Sequence, residues 1–215
     1  MPTLFQRGKM LGALICNGIL ILLSAAGLVM DFVQMGTYSF IYFSDAVNVL
    51  ALISSAVCLG FLIRNLTQKQ TDLPRAVKVF RSTVTSLLVF LFMLVVLVLG
   101  PTSGYMKMML EGSNLYLNFL VPVLSFFSLV MFEQEPELRL REIWWTPAAA
   151  LAYGAVVAPL VYFGYLPAPY ELFDVSIHEI WEVLLVGFLM LAASFFVSWL
   201  VYLCDKRSGP GEDLR

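Results

Sequence analysis

The stretch Val79–Gly100, VFRSTVTSLLVFLFMLVVLVLG, carries one charge, Arg81, in 22 residues and ends on an unbroken apolar run from Leu87 to Leu99. As a helix rising about 1.5 Å per residue it covers the roughly 30 Å of a bilayer's hydrocarbon layer. A helix apolar on every side over that length belongs in lipid or in the interior of a bundle. Five more stretches have the same character: Met10–Met30, Phe40–Ile63, Leu115–Phe132, Ile143–Phe163 and Trp181–Leu203. The composition agrees, with 60% apolar and 13% charged residues, where soluble domains hold about half and a quarter. The fold class expected is all-α: a polytopic membrane protein, a six-transmembrane-helix bundle forming one domain over residues 1–207, with a short, polar, disordered tail at 208–215.

Lysine and arginine set the orientation. One side collects Arg7, Lys9, Arg64, Lys69, Arg75, Lys78, Arg81, Arg139, Arg141, Lys206, Arg207 and Arg215, whereas the other holds only Lys107. Under the positive-inside rule both termini are cytoplasmic, in a membrane of the bacterial inner type. The same asymmetry supports the helix count, because losing one span would scramble it. Arg7 and Lys9 before an apolar run resemble a secretory signal, but the run continues through Met30 and suits a span better. The basic residues form no stripe with interleaved aromatics, so no nucleic acid is expected as a partner. Cys16, Cys58 and Cys204 have no metal-site or disulfide spacing and read as reduced, packed thiols. No metal and no cofactor are expected: a Gly-rich phosphate loop, an axial-ligand pair and an HExxH motif are all missing from the sequence.

In the 164–180 connection, Tyr165 and Tyr170, with Tyr162 just before them, suit an interfacial aromatic layer. Ser176 and Glu179 have the spacing of a capping box for the sixth span.

Polar residues inside spans are the informative ones, because lipid leaves them no partner. The second span has Ser44, Asp45 and Asn48 near its outer end. The fourth opens on Ser113 and Asn114 and adds Asn118. Counted from the outer boundaries, Ser44 and Asn118 lie about 5–8 Å inside the apolar layer, a depth at which they could share one outward pocket. Such groups also serve as interhelical glue, so spacing alone leaves both roles open. Ser44 and Asp45 are consecutive and point about 100° apart on a helix, which makes Asp45 a poor base for that hydroxyl. The single histidine, His178, stands at i+4 from Asp174 and i−4 from Glu182. That is one helical face, where a solvated interfacial histidine competes with a weak acid/base cluster. The spans are expected to lack paired buried charges, which counts against a transporter; Asp45 counts for one.

Several segments resemble a known family in order. Tyr42–Asn48 (YFSDAVN) is similar to the YFTxxSN element of the androgen-induced-gene-1-like family, which includes bacterial Pr6Pr-type membrane proteins. Asn114–Pro122 (NLYLNFLVP) is similar to its NxxLHxxxP, Trp144 through Pro147 to Tyr153 to its WxxYPxxY, and Pro169–Ser176 (PYELFDVS) to its YPFLDVS. The resemblance covers most of Tyr42–Leu203. It implies an intramembrane site for fatty-acyl esters, because animal members hydrolyse such esters with a threonine and a histidine. By position these become Ser44 and Asn118. Serine keeps the hydroxyl, but asparagine cannot take and return a proton near neutral pH. The reading that follows is a lipid or fatty-acyl ester held at the outer end by Ser44, Asp45, Asn48, Ser113, Asn114, Asn118 and His178, without hydrolysis. The alternatives are an intramembrane serine hydrolase using Ser44 and, behind it, a proton-coupled transporter.

Overall fold

The computed structural model describes residues 4–68, 73–133, 138–170 and 178–208. Among them no strand occurs, and six helical stretches are long and apolar enough to cross a membrane. The first span is α1 (Leu4–Met35) continued by a 3-10 segment, Gly36–Ile41; α2 is Phe43–Gln68. The third joins α3 (Arg75–Leu94), a π segment (Val95–Leu99) and the short α4 (Gly100–Ser103). The fourth joins a π segment (Leu115–Leu120) to α5 (Val121–Phe132). A 3-10 turn, Leu140–Trp144, leads into α6 (Trp145–Tyr162), and α7 is Ile180–Ser208.

The expected spans are all present, but several run longer than their apolar stretches. The first reaches Ile41, well past Met30, because Asp31 stays in the helix and is buried instead of ending it in water. Gly36, at φ 63°, makes the break that Asp31 does not. The expected capping serine, Ser176, lies outside the described residues, as does 209–215 of the expected tail. At the start of α7 it is Glu182 that accepts the Glu179 backbone N–H, at 3.1 Å.

Proline sets the two π segments that belong to spans. Pro101 and Pro122 have no N–H to return to the carbonyl four residues earlier. The ladder lengthens just before each one: Gly100 N–H bonds Val95 O, and Val121 N–H bonds Tyr116 O. The second of these segments carries Asn118, so a widened turn sets where that side chain leaves the helix.

The bundle centre is α3. In the most apolar window of its span 61% is buried, against 17% in the spans of α6 and α7, so α1, α2, α3 and α5 form the core and α6 and α7 the periphery. Leu20, Ala51, Val84, Leu88, Val121 and Leu129 fill the centre. Outward faces are apolar, with Leu22, Val33, Leu184 and Phe188 all well exposed, as a lipid-facing surface requires. The helices of the core meet closely at Gly27, where an added Cβ would come within 2.5 Å of Leu117.

Candidate functional site

Two buried polar clusters stand at opposite ends of the bundle. One is where α2 begins and α5 is approached; the other is where α2 ends and α3 begins, with the ends of α5 and α7.

The first holds most of the residues singled out from sequence. Tyr42 is extended (φ −75°, ψ 138°) and α2 starts behind it, placing Ser44 and Asp45 in the first turn, where a carboxylate meets the positive end of the helix dipole. Ser44 Oγ donates to Asp45 Oδ2 at 3.2 Å, so the two side chains do meet, contrary to the expectation from their spacing. The bond is long for two oxygens. It forms because short side chains in a first turn can both bend toward the helix end, so nominal helical angles are a weak guide there. Asn48 Nδ2 donates to Ser44 O at 2.8 Å and across the interface to Leu117 O at 3.1 Å. Asn118 Nδ2 donates to Met108 O at 2.9 Å and Asn114 Oδ1 at 3.0 Å, and Asn114 Nδ2 to Lys107 O at 2.9 Å. Ser44 and Asn118 therefore look to different neighbours, and Asn48 is the residue that joins the two helices.

Three residues not assigned to this site from the sequence belong to this cluster. Asp31 of α1 accepts Ser113 Oγ at 2.8 Å and stands against Asp45, carboxyl to carboxyl. Its signal was present: Asn17, Ser24 and Asp31 recur every seven residues on one face of α1, all three buried. Tyr153 donates its hydroxyl to Ile41 O. Tyr170 is half-buried where Tyr162 and Tyr165 are exposed; its ring meets Tyr42 edge-on, and its oxygen takes the N–H groups of Phe43 and Ser44. Burial, with Asp45 nearby, pushes that hydroxyl above the usual tyrosine range.

The hydrogen bonds leave a pattern. Asp45 Oδ1, Asn48 Oδ1 and Asn118 Oδ1 are all buried without a hydrogen-bond partner among the described residues. The amide orientations are fixed, because each Nδ2 serves a carbonyl or amide oxygen and must be the nitrogen; the two amide orphans are therefore acceptors, and Asp45 Oδ1 is a third while that carboxyl is ionised. His178, at the start of α7, has Nδ1 3.4 Å from Glu182 Oε2 and is absent from this network among the described residues. Its other expected neighbour, Asp174, lies outside them.

The second cluster corrects the expectation that paired charges are missing from the interior. Lys78 and Arg81, counted above among the basic residues of one side, are 1% and 0% exposed on α3. Lys78 Nζ is 2.6 Å from Asp205 Oδ1 and also donates to the Glu133 backbone carbonyl. Arg81 Nε is 3.1 Å from Glu133 Oε2. Glu133 Oε1 takes Asn17 Nδ2 at 2.8 Å and Ser128 Oγ at 2.6 Å. Burial pushes the Glu133 carboxyl up, but Arg81, Ser128, Asn17 and Lys78 together outweigh it and hold the group below the usual glutamate range. The network ties α1, α3, α5 and α7 into one end of the bundle. Cys16 and Cys58 are buried free thiols and Cys204 a half-buried one. A cleft beside this end, lined by Ser82, Arg139, Glu142 and Ser198, measures about 10 Å³. That is room for about one water and too little for a lipid headgroup.

Compared with protein-family models, curated proteins and solved structures, the chain matches none.

Proposed function

We propose that the chain is a multi-pass inner-membrane protein of the androgen-induced-gene-1-like type, with both termini cytoplasmic, that binds a membrane lipid at the outer end of α2 and does not hydrolyse it. The observation that carries this reading is the set of three buried acceptors, Asp45 Oδ1, Asn48 Oδ1 and Asn118 Oδ1. A buried acceptor without a donor costs about 1–3 kcal/mol, so three in one region favour a ligand that brings hydrogen. An ester carbonyl is itself an acceptor and would satisfy none of them. A hydroxyl- or amine-bearing headgroup brings the hydrogen that such oxygens lack, with its acyl chains along the apolar faces of the bundle. Membrane lipid is thus a better occupant than a fatty-acyl ester recognised through its carbonyl.

Hydrolysis is the second reading, favoured by the hydrogen bond from Ser44 to Asp45. Against it, the Asn118 amide N–H groups are both used on Met108 and Asn114 and cannot also stabilise an oxyanion at Ser44. One experiment separates the two. A fluorophosphonate probe is expected to label wild type no more than Ser44→Ala, while native mass spectrometry finds lipid retained by wild type and lost in Asn48→Leu. Ser44-dependent labelling with ester turnover would replace binding by catalysis.

A further inference from the structure

Asp31 and Asp45 come from different helices, are 9% and 1% exposed, and stand against each other, with Ser113 Oγ donating to Asp31, and Ser44 Oγ and the Asp45 backbone N–H donating to the Asp45 carboxyl. Among the described residues no lysine, arginine or histidine pairs with either. The contrast with the other end is sharp, since Glu133 and Asp205 each have a buried cation. Two facing carboxyl groups either share one proton or, as a pair of carboxylates, take positive charge from outside the chain; a ligand cation in place of that proton serves the same end.

A second observation points to a ligand at the same place. Asn48 is fully buried one turn beyond Asp45 on the same face of α2, and its Oδ1 has no donor. Asn118, beside the Leu117 carbonyl that Asn48 holds, leaves its Oδ1 open as well. Both amide oxygens are acceptors whichever carboxyl of the acid pair holds a proton. An ion with no hydrogen would neutralise the charge, but an ammonium group neutralises it and also supplies three N–H donors.

We propose that the headgroup is a primary ammonium, held by Asp31 and Asp45 and hydrogen-bonded to Asp45 Oδ1 and Asn48 Oδ1; this rests on the lipid-binding reading above. An aminophospholipid carries a phosphate beside its ammonium, and the one lysine or arginine at this end of the bundle among the described residues suits it. Lys107 is exposed at the edge of the cluster, in the Met106–Leu110 segment whose carbonyls hold Asn114 and Asn118. The occupant is a zwitterionic aminophospholipid, its amine inward and its phosphate outward.

The test is a native mass-spectrometric titration of the full chain in detergent with four lipids of matched acyl chains: phosphatidylethanolamine, phosphatidylcholine, phosphatidylglycerol and diacylglycerol. Phosphatidylethanolamine should bind about tenfold or more tightly than phosphatidylcholine, whose quaternary ammonium has no N–H, and than the two lipids without a cation. Asp45→Asn keeps the shape and removes the charge; it should abolish that preference, and Lys107→Gln should weaken the two zwitterionic lipids together. Should Asp45→Asn fail to fold, Asp31→Asn serves in its place, each checked by a single peak in size exclusion. Phosphoethanolamine, added alone, distinguishes a soluble amine: a shift in melting temperature as large as the lipid's would overturn the lipid as occupant. Equal binding of phosphatidylglycerol, still lost in Asn48→Leu, would overturn the ammonium and leave lipid binding standing. No Asn48-dependent binding of any lipid would overturn both.

Discussion

Arg81 shows at the scale of one residue what a buried charge demands. Its guanidinium is fully buried and joined to Glu133, with Ser55 Oγ 3.4 Å away. Removing one partner of such a pair strands the other, at a cost of about 3–5 kcal/mol. Arg81→Ala should therefore lower the thermal midpoint in detergent far more than Arg139→Ala in the loop before the fifth span. The pair also gives stability a pH dependence of known sign. The folded Glu133 carboxyl lies below its unfolded value, so its contribution is complete above about pH 4.3, the ordinary glutamate value, and is lost as pH falls through the lower folded value. Glu133→Gln should flatten that acid limb of the melting curve. A midpoint unmoved by Arg81→Ala would mean that the pair does not hold this end together. From sequence these charges were countable but not placeable. Lys78 and Arg81 look like any cytoplasmic anchor, and only the arrival of Glu133 and Asp205 from two other helices shows that they are enclosed.

At the scale of an element, apolar length was legible and helix ends were not. The span in Val79–Gly100 follows from thickness and rise alone. Its continuation to Ser103 through a π turn depends on Pro101, and the same device before Pro122 turns the segment that carries Asn118. Counting 1.5 Å per residue gives Ser44 and Asn118 similar depths, but it does not give the direction in which the widened turn sends Asn118. Helix contacts were hidden for a different reason, because a glycine in lipid looks the same whether or not a neighbour is pressed against it. Gly27 is the close approach of α1 to the Leu115–Leu120 segment, while Gly154 on α6 has nothing within 4 Å. Gly27→Leu should cost about 1–3 kcal/mol through overpacking against Leu117 and Tyr116, and Gly154→Leu little, as read from paired thermal melts. Equal melts would mean that α1 and this segment do not meet as described.

At the scale of the whole molecule, the six-span bundle joins two polar ends through an apolar middle of Leu20, Ala51, Leu88 and Val121. At one end the charges balance, two cations matched by two carboxylates, although Arg81 Nη2 and Asn17 Oδ1 have no hydrogen-bond partner among the described residues. The other is unbalanced, with two facing carboxyl groups and three acceptor oxygens without donors. That inequality was out of reach in the sequence, where Asp31 marked the end of a span and Ser44 and Asn118 drew attention as a nucleophile and its partner. The most direct test is a high-resolution map of the protein in lipid nanodiscs. The account predicts elongated density between α2 and the Leu115–Leu120 segment, its head within hydrogen-bond distance of Asp45, Asn48 and Asn118. A map in which those oxygens meet only water or one another, with acyl chains passing by, would contradict it.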